Sequence, residues 1–217
     1  PANHKTIIPD QPFYQGKNSY QPYPGSVDKI KVVLPVFPGT NCDYDTARAF
    51  EQAGAETTIF VFKNLNETMI NESIEQLTAL IDDAHVLALS GGFSSGDEPD
   101  GSGKFIANVL NNEKIKGAIE RLLAKKHLIV GICNGFQALV KSGLLPYAKI
   151  GTVKPEDPAL YRNDTNRHLS HITKTVVAST NSPWLSSFQT GEVHQVAISH
   201  GEGKFVVSQE IVEQLFK

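Results

Sequence analysis

The chain has 217 residues, of which 40% are hydrophobic and 20% charged, the composition of an ordinary globular protein with room for one well-buried domain. A net charge of -3 spread along the sequence gives no basic footprint for nucleic acid, and no apolar run is long enough to cross a bilayer. Two cysteines rule out a disulfide framework and point to the reducing cytoplasm; no signal-peptide pattern opens the chain.

Residues 1–28 read as a linker: PDQPFYQGKNSYQPYPGS is rich in Pro, Gly, Asn and Gln and has neither helical nor strand periodicity. Alternation begins at Lys29. KIKVVLPVF predicts a buried strand, and DYDTARAFEQAGA a helix with Ala47, Phe50 and Gly54 on one face. TTIFVF, β-branched and aromatic, predicts the second strand. In NETMINESIEQLTALIDDA, Ile70, Ile74, Leu77 and Ile81 fall at i, i+4, i+7 and i+11, an amphipathic helix. HVLALS is the third strand, GGFSSGDEPDGSG a glycine-rich loop and KFIANVLNN a short helix. NEKIKGAIERLLAKK aligns Ile115, Ile119 and Leu122, and HLIVGI is the fourth strand.

Strand–helix alternation with short connections predicts an α/β fold: a mostly parallel sheet with helices on both faces. Right-handed crossovers gather the carboxyl ends of the strands on one edge, where ligands bind in open α/β sheets. Three unusual loops share that edge: FPGTNCD, SGGFSSGD and GICNGF. Beyond Lys149 the strand-like runs ITKTVVAS and VHQVAISH, separated by turn-rich segments, predict antiparallel additions to the main sheet in the C-terminal third.

GICNG, between the fourth strand and a helical pattern, has the layout of a nucleophile elbow with Cys133 at its corner. Such a corner pushes its side chain clear of the sheet and takes a strained backbone angle. Gly131 and Gly135 remove the Cβ atoms that would clash. The helix start that follows attracts negative charge through its dipole and N–H groups, and the backbone N–H of Asn134 is placed to face an oxyanion. The competing reading is a buried cysteine acting as a small hydrophobe.

A nucleophile needs a base and an orienting acid. In VAISHGEGKF, residues two apart on an extended segment point the same way, so His200 and Glu202 stand side by side. His-x-Glu alone is also a common surface pair. The other histidines are poorer bases. His194 lacks an acid in the same arrangement, His168 and His171 sit in a polar turn-rich stretch, and His85 and His127 begin buried strands at the far edge.

The glycines of SGGFSSGDEPDGSGKF let a backbone turn its N–H groups toward a ligand, the requirement for a second oxyanion donor. A Walker loop fails here on spacing, because Glu98 replaces its first glycine and Phe105 its Ser or Thr. Cys42, Cys133 and the histidines show no metal-ligand spacing, so no metal site is expected, and Cys42 reads as structural.

FPGTNCDYDTARAFEQAGAE, SGGFSSGDEPDGSGKF, GICNGFQALVKSGLLP and SHGEGKF, in that order, closely resemble the glutaminase domains of the phosphoribosylformylglycinamidine synthases. These are class I (triad) glutamine amidotransferases of flavodoxin-like fold. The resemblance runs from Val32 to Phe205. It implies Cys133 as nucleophile, His200 as base, Glu202 as orienting acid, backbone N–H groups of Gly92 and Asn134 as oxyanion donors, and Phe93 and Gln137 as glutamine contacts. It also implies no cofactor in this domain, and a synthetase partner domain, fused or separate, that holds ATP and magnesium. The family's domain continues past its His-x-Glu to a Met-Pro-His-Pro-Glu motif. Residues 29–217 are therefore expected to be a C-terminally truncated amidotransferase domain, and the preceding linker points to the C-terminal part of the fused large form. Rival readings are another cysteine-dependent amidotransferase, a γ-glutamyl hydrolase, or a non-catalytic docking module.

Overall fold

The computed structural model describes residues 27–96, 102–151 and 153–215. The linker assigned to residues 1–28 therefore lies, up to residue 26, outside the described residues, as does the 97–101 stretch of the glycine-rich loop. The chain divides into two compact units, one over residues 25–160 and one containing residues 161–217.

The first unit is built on β1 (Lys31–Val36), β2 (Glu56–Val61), β3 (Val86–Leu89) and β4 (Leu128–Gly131), all parallel in the order β2-β1-β3-β4. Alternate side chains of a strand leave opposite faces, and this divides the core in two. Val32 and Leu34 of β1 join Val86 and Ala88 of β3 against Ala47 and Phe50 of α1 (Asp43–Gln52). Val33, Leu87 and Leu89 face the other way. They meet Leu77 and Ile81 of α2 (Glu67–Asp83), Ile106 and Leu110 of α3 (Lys104–Leu110), Ile115, Ile119 and Leu122 of α4 (Glu113–Ala124), and Ala138 and Leu139 of α5 (Asn134–Lys141). Helices thus cover both faces, as the continuous apolar strands require.

Asn66 starts α2 by accepting the Met69 N–H on its side chain, and Asn112 starts α4 by accepting that of Lys114. The expected apolar stripe of α2 is present, with Leu77 and Ile81 buried and Ile70 and Ile74 packed against the same core. Gly54 does not share the face of α1. The helix ends at Gln52, and Gly54 takes φ +90° in the turn beyond it, a conformation glycine reaches at little cost. Arg121 of α4 grips Asp82 of α2 through two 2.8 Å bonds, and its guanidinium holds that carboxyl below the usual carboxylate range.

At the amino ends of β3 and β4 the rings of His85 and His127 lie 4.9 Å apart. The Lys31 backbone N–H donates to His85 Nδ1 at 3.0 Å, a bond that protonation of that nitrogen would break. Burial, then the neighbouring His127, pushes the His85 pKa down. The unfolded chain accordingly takes up this proton first, near pH 6.5, and the folded protein only at lower pH. Stability is expected to fall as pH drops below about 6.5 and through that window. Urea midpoints at pH 7.5 and pH 5.5 check this: wild type should lose more than His85→Gln, and equal losses would refute it.

After α6 (Leu144–Tyr147), β5 (Ala159–Tyr161) runs across the boundary between the units. In the second unit β6 (Leu169–Val176) and β7 (Val193–His200) pair antiparallel over their whole lengths, from Leu169 opposite His200 to Val176 opposite Val193. The antiparallel expectation holds, but among the described residues this pair forms its own two-stranded sheet instead of extending the parallel one. β8 (Lys204–Val206) and α7 (Gln209–Leu215) complete the unit.

Candidate active site

In the first unit Cys133 joins β4 to α5 as the N-cap of that helix, with φ 54° and ψ -108°. These angles suit glycine and strain any other residue by about 1–3 kcal/mol. The thiol is exposed. Its flanking glycines make the corner possible: a Cβ on Gly135 would lie 2.1 Å from the Leu89 carbonyl oxygen, and one on Gly131 would lie 2.6 Å from that of Gly135. Sequence therefore lets α5 settle directly onto the backbone of β3, and the strained turn lifts the sulfur out of the sheet.

The loops after β1 and β3 interlock beside this corner. Phe93 N–H donates to the Gly39 carbonyl at 2.8 Å, Ser95 N–H to that of Pro38 at 2.6 Å, and Asn41 N–H to that of Gly91 at 3.1 Å. Gly92 takes φ +146°, and a Cβ there would stand 2.5 Å from the Gly39 oxygen. The buried Asn134 clamps the elbow to the loop. Its Oδ1 accepts the Ser94 backbone N–H at 3.1 Å, and its Nδ2 donates to Gln137 Oε1 at 3.0 Å. Gly92, half-exposed Phe93, Cys133, Asn134 and Gln137 thus gather at the carboxyl ends of β3 and β4. The sequence reading used only the backbone of Asn134 and missed its side chain. Cys42 also belongs to this neighbourhood: a Cβ on Gly91 would lie 3.5 Å from its sulfur and 3.3 Å from the Cys133 Cβ. Burial, followed by the Cys133 sulfur and nearby aspartates, pushes the Cys42 pKa up and keeps it a thiol.

In the second unit His200 ends β7, and Glu202 follows in the turn before β8. His200 Nδ1 lies 2.9 Å from Asn163 Oδ1, while a Glu202 carboxylate oxygen lies 3.7 Å from Arg162 Nε. Asn163 escaped the sequence reading because it sits 37 residues before His200, inside the polar stretch YRNDTNRH, where no spacing marks it. Of the other histidines, His168 Nε2 bonds Ser199 Oγ at 2.8 Å. His194 has no acid two positions after it, but Glu192, two positions before it, approaches to 3.3 Å. Among the described residues no group of His, Cys, Asp and Glu is arranged to hold a metal, and no helix is long and apolar enough to cross a membrane.

A cysteine elbow at the carboxyl edge of a parallel α/β sheet defines the class of cysteine-nucleophile hydrolases and amidotransferases. Within it, the model of the CobB/CobQ-like glutamine amidotransferase domain matches residues 29–217, and the chain belongs to that family. It is similar to the phosphoribosylformylglycinamidine synthase subunit PurQ of Dehalococcoides mccartyi, 34% identical over 192 residues that cover 87% of this chain and 68% of the relative. The subunit of the same name from Treponema denticola is 36% identical over 188 residues, covering 82% and 65%. Among solved structures, that of PurLQS from Thermotoga maritima matches with a TM-score of 0.63 at 28% identity, over 84% of this chain and 71% of its own.

Proposed function

We infer that this chain is the glutaminase half of a phosphoribosylformylglycinamidine synthase. The amidotransferase domain spans residues 29–217, with Cys133 as its nucleophile, His200 as its base and Glu202 as its orienting acid. The Cys133 thiolate attacks the side-chain carboxamide carbon, and backbone N–H groups of Gly92 and Asn134 hold the oxyanion, each contributing about 3 kcal/mol. His200 gives a proton to the departing ammonia, which leaves a γ-glutamyl thioester on Cys133. Water then attacks the thioester carbon and gives its proton to the same imidazole, and glutamate leaves as the thiol is restored. Glu202 offsets the charge of the imidazolium, while Phe93 and Gln137 contact the glutamine. No cofactor takes part in this half. The ammonia passes to a synthetase domain, on the same or another chain, where ATP and magnesium drive amidation of formylglycinamide ribonucleotide in purine biosynthesis. The cytoplasm suits a catalytic thiol that must stay reduced.

The observation that carries this reading is the backbone of Cys133, a non-glycine residue held at φ 54° on the corner between β4 and α5. Strain of that kind persists where it positions a reacting group. Treatment with a diazo-ketone glutamine analogue, followed by peptide mass spectrometry, tests it. The Cys133 peptide should carry the adduct, and Cys133→Ala should carry none. A folded protein left unmodified, or modified equally in Cys133→Ala, would refute the assignment.

A further inference from the structure

Asn163 is buried, at 7% exposure, and its amide is oriented without ambiguity. Nδ2 donates to the carbonyl oxygens of Arg167 at 2.9 Å and His200 at 2.8 Å, two atoms that only accept. The other end of the amide must then be oxygen. It receives the Gly203 N–H at 3.4 Å and faces His200 Nδ1 at 2.9 Å. An amide oxygen carries no hydrogen, so the proton of that contact belongs to Nδ1. The backbone of Asn163 adds a further tie by donating to the Gly201 carbonyl at 2.9 Å. Gly203 completes the cradle, since a Cβ there would stand 2.2 Å from His200 Nδ1 and drive the ring away.

We propose that Asn163 is a positioning residue that locks His200 as the Nδ1–H tautomer and thereby leaves the Nε2 lone pair to accept protons. The proposal rests on the reading of His200 as the base. Asn163 reaches the ring from 37 residues upstream and acts beside the acid Glu202, which also lies 3.7 Å from Arg162. An amide is suited to this task because it satisfies the Nδ1–H without itself titrating, so the tautomer holds at any pH where the imidazole is neutral.

The test is nitrogen NMR of the full chain labelled with 15N-histidine, with the His200 signals assigned from their loss in His200→Gln. Wild type should show a protonated Nδ1 and an unprotonated Nε2. Asn163→Ala should shift His200 toward the opposite tautomer and lower the glutaminase kcat by at least ~10-fold with little change in KM. Asn163→Asp, which keeps the acceptor but turns its second oxygen toward the Arg167 and His200 carbonyls, should retain the Nδ1–H form at lower stability. A wild-type His200 protonated on Nε2, or an unchanged tautomer in Asn163→Ala, would overturn the proposal. Should Asn163→Ala fail to fold, the wild-type and Asn163→Asp spectra decide it. Glutaminase activity retained by His200→Gln would instead remove the base reading, and the tautomer result would stand by itself.

Discussion

Cys133→Gly is expected to move activity and stability in opposite directions. Glutamine hydrolysis and thioester formation should fall by about 10⁴-fold or more, since glycine carries no nucleophile. With ammonia supplied directly, amidation by a synthetase partner should continue. Stability should rise by about 1 kcal/mol, because glycine reaches φ 54° and ψ -108° without the strain a Cβ brings. The exposed thiol forfeits little packing when it is removed. Cys133→Ala separates the two effects: it is equally inactive but keeps the Cβ, and should gain nothing in stability. Glutaminase assays beside urea denaturation of the three proteins check this, and a Cys133→Gly protein less stable than Cys133→Ala would contradict the strain argument.

Gly135→Ala should be among the most damaging single-methyl changes in the first unit. In an exposed helix interior, alanine is better than glycine by about 1 kcal/mol. Here the added Cβ meets the Leu89 oxygen at 2.1 Å and the Leu89 carbonyl carbon at 2.7 Å, backbone atoms of a central strand that cannot move aside. α5 must retreat from β3, at a cost of about 2–4 kcal/mol. The elbow moves with it, and a displacement near 1 Å lowers activity by about 100-fold. Gly117→Ala in α4 is the control. Its Cβ would approach only the movable end of Arg121, at 3.3 Å, so its melting temperature should hold or rise while that of Gly135→Ala falls.

The parallel sheet was legible in the sequence for a local reason. A strand buried on both faces must be apolar throughout, and KVVLPV and VLAL declare themselves without reference to partners. The α2 stripe and the Ile115, Ile119 and Leu122 face of α4 are likewise short-range patterns. The elbow was legible because its requirement is local too: glycines two residues either side of a cysteine, between a strand and a helix. The second unit was less so. VHQVAISH matches β7 to the residue, yet its sheet membership depended on pairing energies that alternation does not encode.

Residue types and spacings alone therefore determined the layered fold and singled out Cys133, His200 and Glu202 as candidates. Tertiary structure alone decided who touches those groups. The Asn134 side chain binds Ser94, 40 residues away, and Asn163 meets the ring of His200 across 37 residues. It also brought Glu192 to His194 and set Cys42 beside Gly91. A buried amide is chosen for the unpaired donors and acceptors that the folded chain happens to bring near it. Those neighbours exist only after folding, so no local pattern announces them.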